Sequence, residues 1–249
     1  MEITGRLDRG DGVELAWAKL SGTSPMVVFL PGFASDMSGS KALAVRDFCA
    51  EAGQAMLRLD YSGHGLSDGA FTDGTIGRWA EDAAQVIEAE GDGPLLLIGS
   101  SMGGWIGLLL ALRLGARVAG FIGIAAAPDF TETLMWQSMT PGEQAQVMRE
   151  GRIEAPSEYG APLVITRALI EDGREHLLLG GPIEITCPVR LLQGRLDADV
   201  PWETALKISE RVTPPDVQVT LIKDGDHRLS RPQDLSLLLR TLAGLLGED

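Results

Sequence analysis

A serine flanked by glycines is the residue of this chain best placed to act as a nucleophile. Residues 99–103 read Gly-Ser-Ser-Met-Gly and match the pattern G-x-S-x-G around Ser101. The pattern carries chemistry only between a strand and a helix, because the sharp turn then exposes the serine Oγ and leaves the next backbone N–H free for an oxyanion. An apolar run at 95–98 precedes the motif and an apolar stretch at 105–114 follows it. The spacing therefore predicts a nucleophile elbow with Ser101 as the nucleophile.

The same five-residue pattern occurs a second time, around Ser67 at residues 65–69. This copy lies in a glycine-rich loop that no apolar strand precedes and no helical stretch follows. We therefore interpret Ser67 as a structural residue.

A serine hydroxyl needs a general base within hydrogen-bond reach and an acid that orients the base. The chain has three histidines: His64 in a Gly-His-Gly loop, His176 in the second half of the chain, and His227. His227 follows the last apolar run, at 217–222, and so falls at the strand ends where open α/β sheets bind ligands. These positions predict His227 as the base.

The acid is expected between the serine and the histidine in chain order, as in other hydrolases with this elbow. Asp197 and Asp199 both follow the predicted strand at 189–193. Asp197 is favoured because the acid of such hydrolases precedes a Val-Pro step by three residues, here Val200-Pro201. Asp199 remains the alternative, and the aspartate that is not the acid would cap the helix predicted after it.

An oxyanion hole requires backbone donors rather than particular side chains. One donor is expected to be the N–H of Met102, and the other comes from the loop after the third strand. That loop reads Leu-Pro-Gly-Phe-Ala-Ser at 30–35, where Gly32 permits close approach and Phe33 supplies the N–H. This chemistry needs neither a metal ion nor a cofactor, and we expect none.

Short apolar runs alternate with longer helical stretches, a pattern typical of βαβ units and a mostly parallel sheet. The predicted strands cover residues 2–7, 13–19, 26–30, 55–60, 95–98, 119–124, 189–193 and 217–222. The predicted helices cover residues 41–52, 76–89, 105–114, 202–212 and 232–246. Eight strands with flanking helices predict an α/β-hydrolase fold, formed by residues 1–249 as a single domain.

One interval, residues 128–186, interrupts this alternation. It holds several apolar helical pieces and no convincing buried strand. We predict that it is a small helical lid inserted between core segments 1–127 and 187–249. Most of its apolar side chains are expected to pack against the core, as helical stripes usually do, and a minority to line an acyl pocket.

Composition excludes several classes of protein. Acidic residues outnumber basic ones 35 to 21, and no Lys/Arg cluster offers a footprint for nucleic acid. Cys49 and Cys187 are too few for a disulfide framework and lack metal-site spacing, so both are expected to be reduced core thiols. Residues 1–6 do not show the basic-then-apolar pattern expected of a secretory signal, and the most apolar run is interrupted by Arg113, short of the roughly 20 residues of a membrane span. We expect a cytoplasmic protein.

Short runs spread over most of the chain carry a family resemblance. They are Pro-Gly-Phe at 31–33, Ser-Asp-Met at 35–37, Gly-Ser-Lys-Ala at 39–42, Phe-Cys at 48–49, Asp-Tyr-Ser-Gly at 60–63, Ser-Asp-Gly at 67–69, Gly-Ser-Ser at 99–101, Gly-Gly-Trp at 103–105, Cys-Pro-Val-Arg-Leu-Leu at 187–192, Val-Pro-Trp at 200–202 and Asp-His-Arg at 226–228. In these runs the chain resembles the α/β-hydrolase domain-containing protein ten family, known as palmitoyl-protein thioesterases and acyl-glucuronide esterases. The resemblance implies a triad of Ser101, Asp197 and His227.

The residues and the resemblance together predict a serine hydrolase that cleaves acyl thioesters or carboxylic esters through an acyl-enzyme. Its substrate would be a small molecule or an acylated protein, as for a palmitoyl-protein-thioesterase-like deacylase. Three alternatives stay open: a general carboxylesterase or lactonase, a hydrolase of carbon–carbon bonds with the same triad, and a non-enzymatic binding module.

Overall fold

A central sheet of eight strands organises the computed structural model, which describes residues 1–155 and 162–247. The strands of the chain are β1 (Glu2–Asp8), β2 (Glu14–Leu20), β3 (Thr23–Leu30), β4 (Gln54–Leu59), β5 (Leu95–Ser100), β6 (Val118–Ile124), β7 (Arg152–Ala155), β8 (Leu163–Thr166), β9 (Val189–Gly194) and β10 (Val217–Ile222). The central sheet has the order β1-β2-β4-β3-β5-β6-β9-β10. Strand β2 is antiparallel to both its neighbours, and the other pairs are parallel. The predicted eight-stranded, mostly parallel sheet is confirmed.

Seven α-helices accompany the strands in the described residues. They are α1 (Ser40–Ala52), α2 (Ile76–Glu90), α3 (Met102–Leu114), α4 (Pro141–Glu150), α5 (Arg167–Glu175), α6 (Glu203–Arg211) and α7 (Pro232–Leu246). Local chemistry sets several of their ends. Thr75 caps α2, and Thr140 with Glu143 forms a capping box at the start of α4. None of the described helices has the length and apolar character needed to cross a membrane.

Apolar burial on both faces of the sheet holds the fold together. One cluster joins the sheet to α2, α3 and α6, and includes the fully buried Trp79 and Trp105. A second cluster joins the opposite face to α1 and α7. Cys49 and Cys187 are buried within these clusters, and burial raises the pKa of the Cys187 thiol. Because both faces are covered, the carboxyl ends of the parallel strands are left to carry the polar site.

The segment predicted as a helical lid also contains strands. Strands β7 and β8 pair antiparallel in a separate two-stranded sheet, and residues 156–161 between them lie outside the described part of the chain. A π-helical turn, Thr131–Met135, and a 3₁₀ turn, Trp136–Ser138, precede α4. The sequence analysis found no convincing buried strand in this interval, and neither of these strands is buried along its whole length. Both strands are four residues long, which leaves little periodic signal in the sequence.

Buried polar contacts attach this segment to the core. Both carboxylate oxygens of Asp129 accept backbone N–H groups, from Leu178 at 2.8 Å and Leu179 at 2.9 Å. The indole N–H of Trp105 donates to the carbonyl of His176 at 3.0 Å. Asp129 thus links the beginning of the segment to its end, and burial raises the pKa of its carboxyl.

Candidate active site

Ser101 occupies the turn between β5 and α3. Its backbone has φ 53° and ψ −118°, a conformation that side-chain-bearing residues rarely adopt and that tends to occur at functional sites. Two glycines permit the turn, because a Cβ at Gly99 would overlap the backbone of Gly103, and a Cβ at Gly103 would overlap Leu30. The N–H of Ser101 donates to Ile124 on β6 at 2.9 Å, which fixes the turn to the sheet.

Three side chains from separate loops form a hydrogen-bonded line at this turn. The Nε2 atom of His227 lies 3.1 Å from Ser101 Oγ, and its Nδ1 atom lies 2.9 Å from Asp197 Oδ2. His227 follows β10 and Asp197 follows β9, so adjacent parallel strands deliver both to the same end of the sheet. With Nδ1 donating to the carboxylate, Nε2 is left to accept the serine proton.

The carboxylate of Asp197 is fully buried and surrounded by N–H donors. Its Oδ1 accepts the backbone N–H groups of Asp199 at 2.9 Å and Val200 at 2.8 Å. Its Oδ2 accepts the side-chain amide of Gln193 at 2.8 Å, in addition to His227. The Asp197 side chain is 0% exposed, compared with 18% for His227. Four hydrogen bonds therefore hold in place a carboxylate that water does not reach.

The two candidate acids occupy different positions. Asp197 faces the imidazole directly, whereas Asp199 is exposed and contributes a backbone N–H to the Asp197 carboxylate. A carboxylate oxygen of Asp199 nevertheless lies within 4.8 Å of ligand atoms of Asp197 and His227. The geometry therefore favours Asp197 as the orienting acid and leaves Asp199 as a nearby charge.

The two predicted oxyanion donors belong to segments that adjoin Ser101. Met102 is the first residue of α3, and N–H groups in the first turn of a helix have no partner within the helix. Phe33 lies in the loop after β3, and its N–H has no acceptor among residues 1–155 and 162–247. A Cβ at Gly32 would approach the Cβ of Ser101 to 3.4 Å, which shows how closely this loop passes the serine.

Aromatic packing supports the Phe33 loop. The Phe33 ring lies 4.9 Å from Phe71, 5.7 Å from Trp79 and 5.6 Å from Phe130, measured between ring centroids. All three contacts are edge-on, the preferred arrangement for aromatic pairs. Phe130 belongs to the predicted lid segment, so the loop that carries Phe33 is in direct contact with that segment.

The other residues considered from sequence lie outside this line. Ser67 Oγ donates to the carbonyl of Asp60 at 2.6 Å and accepts the N–H of Ala16 at 2.8 Å. His64 is buried against Tyr61, and burial lowers the pKa of its imidazole. His176 ends α5, with Nδ1 2.8 Å from the carbonyl of Asp172. The contacts of Ser67 and His64 stabilise a loop, and the hydrogen bond of His176 lies within the predicted lid segment. None of these contacts involves the turn at Ser101.

Comparison with known proteins decides the family. A model of the alpha/beta hydrolase fold matches residues 25–158. The mitochondrial palmitoyl-protein thioesterase ABHD10 of Mus musculus is 39% identical over 242 residues, covering 96% of this chain and 81% of the mouse protein. The chain belongs to the α/β-hydrolase domain-containing protein 10 family.

Solved structures agree with this assignment. A crystal structure of an Agrobacterium vitis S4 protein superposes with a TM-score of 0.93 at 41% identity, covering 98% of both chains. The structure of α/β-hydrolase domain-containing protein 10 from mouse gives a TM-score of 0.91 at 37% identity, covering 99% of both chains.

Two runs in which the chain resembles this family meet beside His227. Lys41 Nζ, in the run at 39–42, donates to the carbonyl of Arg228, in the run at 226–228, at 2.5 Å. The contact joins α1 to the loop that carries the imidazole. Burial, together with the nearby positive charge of Arg228, lowers the pKa of the Lys41 amine to about 8, although the charges of Asp226 and Asp234 oppose the shift.

We expect the wild-type protein to gain stability relative to Lys41→Met as the pH rises from 8 to 10. In this window the folded chain has released the Lys41 proton, whereas the unfolded chain still binds it, so the free energy of unfolding increases with pH. The gain should be on the order of 1 to 3 kcal/mol. Urea unfolding at pH 7, 8, 9 and 10 measures it.

The matched control is Lys207→Met, which removes an exposed lysine from α6. Its difference from wild type should stay constant over the same pH range. A constant difference for Lys41→Met as well would contradict the assigned shift.

The sequence analysis missed two residues of the site, Gln193 and Lys41. A signal existed for Gln193, because it is a polar residue directly after the apolar pair Leu191-Leu192 at the end of the predicted strand 189–193. The role of Lys41 had no local signal, since its partner lies 187 residues away in the chain.

Proposed function

We propose that this protein is a serine hydrolase that cleaves acyl thioesters and carboxylic esters, acting as a palmitoyl-protein-thioesterase-like deacylase. The observation that carries the proposal is the unbroken hydrogen-bonded line from Ser101 through His227 to Asp197 at a strained elbow. In this assignment Ser101 is the nucleophile, His227 the general base and acid, and Asp197 the orienting acid.

Acylation follows from the geometry of the line. His227 Nε2 takes the hydroxyl proton as Ser101 Oγ attacks the carbonyl carbon of the substrate. The N–H groups of Phe33 and Met102 bind the oxyanion that forms, and Asp197 stabilises the imidazolium. His227 then protonates the leaving thiol or alcohol, which departs and leaves Ser101 acylated.

Deacylation repeats the relay with water as the nucleophile. His227 removes a proton from a water molecule as the water oxygen attacks the carbonyl carbon of the acyl-enzyme. The same backbone donors hold the second oxyanion. The imidazolium returns its proton to Ser101 Oγ, which releases the carboxylic acid and restores the enzyme.

The family and the lid support an acyl substrate with a long apolar chain. The mouse relative is named a palmitoyl-protein thioesterase. Four apolar side chains of the lid pack on the core yet remain only partly buried: Leu134, Met135, Leu178 and Leu179. An acyl chain that covered such side chains would gain free energy from the apolar area removed from water.

The test is kcat/KM on matched thioester and oxygen-ester series from acetyl to palmitoyl, with Ser101→Ala as the blank. We expect kcat/KM to rise with chain length and to be higher for thioesters, and we expect a palmitoylated peptide to be deacylated. A preference for short oxygen esters would overturn the deacylase proposal in favour of a small-ester hydrolase. Inertness toward every acyl ester would overturn ester hydrolysis itself.

A further inference from the structure

A buried glutamine contacts the acid of the hydrogen-bonded line. Gln193 lies near the end of β9 and is 1% exposed. Its Nε2 donates to Asp197 Oδ2 at 2.8 Å, and the same oxygen faces His227 Nδ1 at 2.9 Å. Gln193 and the imidazole therefore share one acceptor atom.

The surroundings dictate the orientation of the Gln193 amide. Besides Asp197 Oδ2, its Nε2 faces the carbonyl oxygens of Val200 at 3.3 Å and Gly194 at 3.4 Å. If the amide were turned over, its own oxygen would face three oxygens. The donor must therefore point at the carboxylate.

The other end of the same amide is left without a bond. Gln193 Oε1 is buried and has no hydrogen-bond partner among the described residues. A buried carbonyl without a donor destabilises the folded state, whereas an apolar side chain of similar shape would avoid that penalty. The polar contribution of this glutamine therefore comes from its Nε2 donor, which faces the Asp197 carboxylate, and not from its oxygen.

We propose that Gln193 is a positioning residue for the relay, holding Asp197 Oδ2 in line with His227 and offsetting part of its negative charge. The proposal rests on the proposed function, because it assigns a role within the same triad. Gln193 itself touches neither the serine nor the reacting carbonyl.

Two measurable consequences follow from removing the Nε2 donor. The Asp197 carboxylate loses the bond that fixes one of its oxygens, so the imidazole is oriented less well and turnover falls. The carboxylate also keeps more of its negative charge, so the pH profile of kcat/KM is expected to change at its acid limb. A purely structural residue would produce neither a shifted pH profile nor a specific loss of rate.

The first experiment compares Gln193→Leu with wild type on one active ester across pH 5 to 9. We expect kcat/KM on its plateau to fall about tenfold or more, as for the loss of a hydrogen bond to a charged group. The acid limb of the profile should move to higher pH, because the carboxylate keeps more of its negative charge. The melting temperature should change by less than about 3 °C, since the unpaired Oε1 is removed together with the donor.

The matched control is Gln54→Leu, at another buried glutamine on a strand of the sheet. Gln54 is 4% exposed, and its amide is paired at both ends, with Nε2 donating to the carbonyls of Thr23 and Pro25 and Oε1 accepting from Thr23 Oγ1. We expect its loss to lower the melting temperature by about 5 °C or more. The kcat/KM value and the pH profile should stay at the wild-type level.

A second variant, Gln193→Glu, replaces the donor by a carboxyl group. When ionised it repels Asp197, and when protonated it can donate a hydrogen bond in place of the amide. We therefore expect its kcat/KM, relative to wild type at the same pH, to be lower at pH 8 than at pH 5.5.

The outcomes separate this proposal from the function on which it rests. If Ser101→Ala is inactive while Gln193→Leu keeps wild-type kcat/KM and an unshifted acid limb, the triad stands and the role of Gln193 is overturned. If Ser101→Ala retains wild-type activity, the proposed function fails. We expect Ser101→Ala to be inactive, and Gln193→Leu to have a lower kcat/KM and a displaced acid limb. We expect Gln54→Leu to be active but less stable.

Discussion

Replacing Ser101 with alanine is expected to lower kcat by about 10⁴-fold to 10⁶-fold, to the level that binding and the oxyanion donors sustain without a nucleophile. The variant should remain folded, because the hydrogen bond that Ser101 Oγ makes, to His227, lies within the site. The melting temperature is expected to stay within about 3 °C of wild type. Ester turnover with purified protein, together with a thermal melt, measures both.

The second G-x-S-x-G supplies a matched control in the same chain. Ser67→Ala removes an Oγ that bonds Asp60 and Ala16, so it should lower stability by about 1 to 3 kcal/mol. Its kcat should stay within about threefold of wild type, since Ser67 lies outside the relay. Equal losses of activity in the two alanine variants would contradict the assignment of Ser101 as nucleophile.

Asp197→Asn is expected to lower kcat about 10³-fold to 10⁴-fold, an effect of the size seen when a triad acid loses its charge. The physical reason is the ring of donors around the carboxylate. Both oxygens accept N–H groups, so the amide nitrogen of an asparagine must face either Gln193 and His227, or Asp199 and Val200. A nitrogen facing the imidazole would favour the tautomer with its proton on Nε2, which cannot accept the serine proton.

Asp199→Asn is the control for this experiment, because it neutralises a carboxylate within 4.8 Å of the same cluster. The Asp199 backbone N–H, which Asp197 Oδ1 accepts, is unchanged by the substitution. We expect kcat within about threefold of wild type, as for a surface charge. If the larger loss followed Asp199→Asn, the acid would be misassigned. Steady-state kinetics of the two variants at one pH decide between them.

Much of the sheet was predictable because its signals are local. All eight predicted strands formed within three residues of the predicted ends. The signal was strongest for continuous apolar runs such as those of β5 and β6, which suit strands buried on both faces. The start of α3 was predicted at residue 105, whereas the helix begins at Met102. Gly103 and Gly104 have low helix propensity, yet the close approach of Gly103 to Leu30 requires a glycine there. At the elbow, tertiary packing therefore outweighed the low helix propensity of the two glycines.

The lid was the least predictable part. Its hairpin consists of two four-residue strands, and β7 has the half-exposed pattern of a surface strand. So short a run carries few periods, which makes strand and helix hard to distinguish. The contacts of Asp129 with Leu178 and Leu179 also join residues about fifty positions apart, and no local pattern encodes such a pairing.

Residue types and their order along the chain already specify the chemistry available to this protein: a serine in a strand-turn-helix setting, a late histidine and an acid between them. These features are local, because backbone sterics and the period of apolar burial act over a few residues. Tertiary structure decided which groups meet. Strand order brings Ser101 to His227 across 126 residues, and loop geometry selects Asp197 over Asp199 as the partner of the imidazole. It also places Gln193 against that carboxylate, because a hydrogen bond depends on ångström-scale distances that residue types alone do not specify.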